Sequence, residues 1–158
     1  MNQSKPIIIA HRANLNGPDT NDNHPTAILT ALQEGYDIEI DTWITNHQLH
    51  TGHDHPQHPL PPSLKINNPH IWWHAKNTTA LDHLLQHGAN TFWHQHDDRV
   101  ITSHGLIWCH KDHPHHSPHS VILLFTIPDI TNWNRTRQQC HAICTDHPRH
   151  LKELLNNN

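Results

Sequence analysis

Several residue types are scarce in this chain, and each shortage narrows the reading. Only 15% of the 158 residues are charged, with 10 Lys and Arg against 14 Asp and Glu. Disorder driven by high net charge is therefore unsupported, and at neutral pH there is no basic footprint for nucleic acid. Cysteine occurs three times (Cys109, Cys140 and Cys144) without a CxxC spacing. This argues against a disulfide framework or a cysteine zinc site and points to a reducing compartment. No stretch approaches the ~20 apolar residues of a membrane span. With no charged N-terminal segment leading into a long apolar run, the expectation is a soluble, unexported, cytoplasmic protein. Val appears twice, Met once, Glu three times and Gly five times.

What fills the space is 22 His, 15 Asn, 14 Thr and 12 Pro. An excess of these over Val, Gly and Glu is the pattern a nucleotide skew in the gene would leave. On that hypothesis most imidazoles are background, and a gene with balanced bases at silent positions would refute it. Protonating every His would turn a formal charge of −4 strongly positive, so the electrostatics should change steeply below about pH 6.5. The length suits one domain, 1–155, with 156–158 as a frayed tail.

Residues 6–13 form an apolar run that ends in His11 and Arg12, as a buried parallel strand ends when it delivers polar groups at its C-terminus. Ala27, Ile28, Ala31 and Leu32 recur at helical spacing between Pro25 and Gly35. Tyr36 to Thr45 reads as a strand, with 47–54 continuing it as a hairpin. Further strands are expected at 71–76, 91–95, 99–103, 106–110, 121–125 and 141–145. Helices are expected around Ala80 to Leu85, at 129–139 and at 148–155. Strands alternating with helices predict an α/β protein with a largely parallel sheet.

Chemistry concentrates at the strand ends. Glu39 and Asp41, two apart on a strand, share one face, as do His74 and Lys76. Two carboxylates on one face suit a divalent cation, nearby histidines suit acid and base roles, and Arg and Lys suit a phosphate.

The ordered set His11-Arg12, then Gly35-Tyr36-Asp37-Ile38-Glu39-Ile40-Asp41, Thr45 and Gly52-His53-Asp54 resembles the N-terminal signature of the glycerophosphodiester phosphodiesterase family. That family belongs to the phosphatidylinositol-specific phospholipase C-like superfamily of TIM barrels. Asp22-Asn23-His24-Pro25 loosely resembles its Pro-Glu-Asn-Thr element, and Ala142 to Pro148, with Thr145-Asp146, is similar to its last strand. The resemblance covers 7–77 and 141–155, and is weak across 78–140.

It implies a compact or incomplete TIM-barrel-like (β/α) fold, since 158 residues are few for eight full units. It also implies a metal-dependent phosphodiester hydrolase acting on a small-molecule or lipid-derived phosphodiester. His11 and His53 would be the catalytic acid–base pair, Arg12 and Lys76 the phosphate-binding residues, and Glu39, Asp41 and His74 the metal ligands. The family uses Mg²⁺ or Ca²⁺. His74 stands where the family usually has a carboxylate, which admits Mn²⁺ or Zn²⁺ instead.

Two other readings stay open: a non-catalytic barrel that binds phosphate or metal, and a histidine-rich metal-sequestering protein. The tract His110 to His119 is expected to be a solvated loop, and His94 or His96 either faces the pocket or is structural. Trp72, Trp73, Trp93 and Trp108 are expected in the core, and Cys140 and Cys144 as buried thiols.

Overall fold

The computed structural model describes residues 5–133 and 138–157. The elements, in chain order, are β1 (Ile7–His11), α1 (Pro25–Gln33), β2 (Asp37–Thr45), β3 (Gln48–Thr51), β4 (His58–Pro59), β5 (Ile71–Ala75) and α2 (Thr78–Gln86). They continue with β6 (Asn90–Phe92), β7 (Arg99–Ile101), β8 (Ile107–Cys109), β9 (Ser120–Leu123), α3 (Ile127–Asn132), β10 (Ala142–Thr145) and α4 (Pro148–Asn157). The fold is mixed α/β, built on one curled sheet. Its parallel strands run in the order β6-β5-β2-β1-β10-β9-β8. The antiparallel strand β7 is added on β8, and β3 and β4 on the extended end of β2.

Period-two alternation sorts each strand into two faces. One face supplies the cluster Ile9, Trp72, Phe92, Trp108, Val121, Ala142 and Cys144, drawn from strands all along the sheet. This is the concave side, where Phe92 of β6 stacks on Trp108 of β8 at 4.4 Å although the two strands lie far apart in the sheet order. The opposite face carries Ala10, Ile38, Ile40, Ile71 and Trp73, which pack with Ile28 and Ala31 of α1 and with Ala80 and Leu84 of α2. A second outer layer joins Ile122 and Ile143 to Ile130 of α3 and to Leu151 and Leu155 of α4.

The two parallel edges, β6 and β8, are drawn together by the turn after β7. Ser103 N–H donates to Thr91 O (2.8 Å), Thr91 N–H donates to Ser103 Oγ (2.9 Å), and Ser103 Oγ–H donates to Ala89 O (2.7 Å). Economy of length follows from the connections. Helices link β1 to β2, β5 to β6 and β9 to β10, while hairpins and loops serve between the others.

Caps explain the helix starts. The Asn77 side chain accepts from Ala80 N–H (2.9 Å) and donates to Ile44 O (2.9 Å), fastening the start of α2 to β2. Three expectations are revised. β6 ends at Phe92 rather than Gln95, because beyond it the chain bends into the cavity rim. The helix expected at 129–139 is the short Ile127–Asn132, started by a Thr126–Asp129 capping box, and 134–137 lie outside the described residues. The last helix continues to Asn157, where Asn156 accepts from Lys5 Nζ (3.0 Å), and Asn158 lies outside the described residues. Among the described residues no helix is long and apolar enough to cross a membrane.

Candidate active site and metal centre

Because the long run of strands is parallel, their C-terminal ends share one rim. The inner-face positions at that rim are His11, Asp41, His74 with Lys76, His94, His110, Phe125 and Asp146. Below them the same face carries the apolar cluster of Ile9, Trp72, Phe92, Trp108, Val121, Ala142 and Cys144, with Asp37, Glu39 and Asn90 as buried polar members. A cavity of about 490 Å³ opens there, and its lining includes His11, Arg12, Glu39, Asp41, His53, His74 and Lys76. All seven residues singled out in the sequence therefore meet at one cavity. His94, His96 and His110 join them. His110, expected both at the end of a strand 106–110 and in the solvated tract, directly follows β8 and lines the cavity, while His113, His115 and His116 are exposed.

The carboxylates come from β2. Glu39 is 2% exposed and Asp41 1% exposed, so neither can be charged without partners. Asn23 clamps Asp41 from two sides: its Nδ2–H donates to Asp41 Oδ2 (2.9 Å), and its Oδ1 accepts from Asp41 N–H (2.9 Å). Asn23 holds a left-handed backbone (φ +61), a conformation asparagine tolerates better than most residues. Its carbonyl accepts from Thr51 Oγ1–H (2.6 Å), which ties the β3 hairpin to the site.

Among the described residues, Glu39, Asp41 and His74 form the group of metal-ligating side chains whose donor atoms all lie within 4.8 Å of one another. His74 Nδ1 is 2.9 Å from Asp41 Oδ1 and 3.5 Å from Glu39 Oε1. Its other nitrogen, Nε2, donates to His94 O (3.0 Å). An imidazole that faces a carbonyl at one nitrogen and a carboxylate at the other is satisfied when both nitrogens carry protons. Burial alone would push the His74 pKa down, but hydrogen bonds to Asp41 and Glu39 outweigh it and raise it to about 9. Burial would raise the Asp41 pKa, yet the His74 hydrogen bond and the charges of His74 and Lys76 hold it well below the usual carboxylate range. Lys76 Nζ stands 3.6 Å from Asp41 Oδ1.

His11 is oriented by a residue that the strand patterns did not single out. Its Nδ1–H donates to Asp146 Oδ1 (2.8 Å), and Asn14 Nδ2–H donates to the same oxygen (2.9 Å). Asp146 follows β10, which pairs with β1 in register, Ala10 opposite Thr145. The Thr145-Asp146 string was visible in the sequence, but its role needed this pairing. Burial works to lower the His11 pKa, and Asp146 with Glu39 more than compensates, so it is raised. Burial opposes ionisation of Asp146, and the bond from His11 overrides it and lowers its pKa. The imidazole also packs on Phe125 at 4.6 Å.

His53 reaches the cavity from the loop after β3. Its Nδ1 lies 2.7 Å from Asp54 Oδ1, with both side chains substantially exposed. Gly52 sets this loop: it has φ +148, and a Cβ there would sit 2.2 Å from His55 O, so no other residue fits. Arg12, expected beside a phosphate, lines the cavity and also contacts three carboxylates. Its Nη1 donates to Asp22 Oδ2 (3.3 Å), its Nε is 3.4 Å from Asp41 Oδ2, and its backbone N–H donates to Glu39 Oε2 (3.1 Å). The guanidinium therefore supports the carboxylates while it borders the cavity. Trp72, Trp73 and Trp108 are buried and Trp93 packs against the core, as expected. Burial pushes the Cys140 thiol up to about 12 and the Cys144 thiol well above its ordinary value, so neither is a ready nucleophile.

Comparison with family models, with curated proteins and with solved structures returned no match for this chain.

Proposed function

We propose that this protein is a metal-assisted phosphodiester hydrolase of the glycerophosphodiester phosphodiesterase type, built on a pared-down TIM-like barrel. The observation that carries the reading is the meeting of Glu39, Asp41 and His74 with His11 and His53 at one cavity on the C-terminal rim of parallel strands. The donor set fits a divalent ion. His74 already spends Nε2–H on a carbonyl, so loss of one proton leaves its Nδ1 lone pair facing both carboxylates. Two oxygens and one imidazole nitrogen favour Mn²⁺ or Zn²⁺ over Ca²⁺. When bound, the ion would neutralise charge on the phosphate oxygens.

The chain's own residues supply the proton transfers. Asp146 fixes the His11 tautomer and favours its protonated form, so His11 is the acid that protonates the leaving alkoxide. His53 is the base that deprotonates a substrate hydroxyl, whose attack forms a cyclic phosphodiester as the P–O bond to the leaving alkoxide breaks; water then opens the ring, with the two histidines in exchanged roles. Lys76 and Arg12 add positive charge beside the phosphate.

A second reading, a non-catalytic barrel that binds phosphate or metal, draws on one observation: Arg12 and Lys76 both lean on Asp41. Assaying the purified protein with Mg²⁺, Ca²⁺, Mn²⁺ or Zn²⁺ against a phosphodiester panel separates the two. Hydrolysis that requires the ion is expected. Binding of a phosphodiester without turnover, across every ion, would establish the second reading instead.

A further inference from the structure

Several imidazole pairs lie in ring contact outside the carboxylate centre, and their hydrogen bonds separate them. In His24 of the His24–His58 pair, Nδ1 accepts from Thr26 N–H (3.2 Å). In His110, which contacts His94 and His113, Nδ1 accepts from Asp112 N–H (3.3 Å). A neutral ring that accepts at Nδ1 carries its proton on Nε2 and has no second lone pair to offer. His83 and His87 are arranged the other way. His87 Nδ1–H donates to His83 O (2.8 Å), so the neutral ring keeps its lone pair on Nε2, and the residue is exposed. Donation of one ring N–H to a backbone carbonyl is the usual support for a metal-ligating histidine.

We propose that His83 and His87 chelate a borderline divalent transition ion, Cu²⁺, Ni²⁺ or Zn²⁺, on the outer surface of α2, apart from Glu39, Asp41 and His74. The two residues are spaced i, i+4 at the end of the helix, so their side chains stand over one another, and their rings are 4.2 Å apart between centroids. His83 is partly buried and His87 exposed, which gives an ion access from solvent. Imidazole pairs select these ions over Mg²⁺ and Ca²⁺. Burial, and then the neighbouring His87, lower the His83 pKa, so its lone pair is free at neutral pH. Occupancy would staple the last turn of α2, the helix that joins the β5 end of the cavity to β6. It does not depend on the phosphodiesterase reading.

The test is an amide NMR titration of the full chain with substoichiometric Cu²⁺ at pH 7.5, paired with calorimetry using Ni²⁺. Signals of residues 80–89 should broaden below one equivalent of Cu²⁺. His83→Ala and His87→Ala should each remove that broadening and weaken a Ni²⁺ isotherm about tenfold or more, whereas Gln86→Ala should leave both unchanged. If 80–89 stay sharp in the unaltered protein while other histidine segments broaden, the site does not exist. Equal Ni²⁺ binding by His87→Ala and the unaltered chain would also overturn it.

Discussion

Two histidine–aspartate contacts border the same cavity and differ almost only in surroundings. His11 meets Asp146 at 2.8 Å, with side chains 17% and 9% exposed, while His53 meets Asp54 at 2.7 Å, with side chains 42% and 86% exposed. The first joins residues 135 positions apart and needs the pairing of β1 with β10; the second joins neighbours in one loop. Water screens the exposed contact and competes for its partners, so equal distances do not imply equal consequence. The buried contact fixes a tautomer and holds a charge state. The exposed one keeps His53 in contact with solvent, which suits the base role proposed for it.

The widest break in this contrast is catalytic. His11→Ala and His53→Ala should each reduce phosphodiester turnover by roughly 10²–10⁴-fold, the span of a lost general acid or base. Steady-state kinetics on the best substrate checks this, and full activity in either variant would remove that residue from the mechanism. Next comes pH. The folded His74 pKa of about 9 exceeds its ordinary 6.5, so the stabilisation is complete below about pH 6.5 and lost as pH rises through 9. For the metal-free protein this amounts to about 3 kcal/mol, read from urea unfolding at pH 6 and pH 9.5. His74→Ala should flatten that part of the profile. A Mn²⁺ or Zn²⁺ ion must displace the same proton, so calorimetry below pH 9 should record proton release on binding.

Replacing Asp146 by Ala should cost about 1.5–3 kcal/mol of unfolding free energy, as expected for a buried hydrogen bond between charged groups. It should also lower the His11 pKa, which an NMR titration of the imidazole would follow. Asp54→Ala, by contrast, should change stability by about 0.5 kcal/mol or less. If the two aspartate variants cost the same, burial is not what distinguishes the contacts.

Much of the fold was legible along the chain because local rules govern it. The run Ile7 to His11, the alternation Asp37 to Asp41 and the helix between Pro25 and Gly35 each follow from periodicity and from Pro and Gly punctuation. The site residues were legible where two inner-face positions stand two apart, as with Glu39 and Asp41. Three features were not. His110 was read both as a strand end and as part of a solvated tract, and β8, only three residues long, offers too little period to decide between them. The orientation of Arg12 depends on Asp22 and Asp41, which reach it from separate segments. Asp146 acts through a parallel pairing between the first and last strands, and no local pattern encodes a partner so distant.

The amino-acid sequence by itself determined which residues carry charge, which strands alternate, and where helices begin, since propensity, alternation and capping act over a few positions. Tertiary structure alone decided which of the 22 histidines share one cavity and which carboxylates face them. It curls the sheet so that the ends of parallel strands converge, buries Glu39 and Asp41 where a charge must have a partner, and sets His74 and His11 against them. An imidazole acquires its role from the carboxylate that faces it and from the water excluded around it, and both are properties of the folded chain.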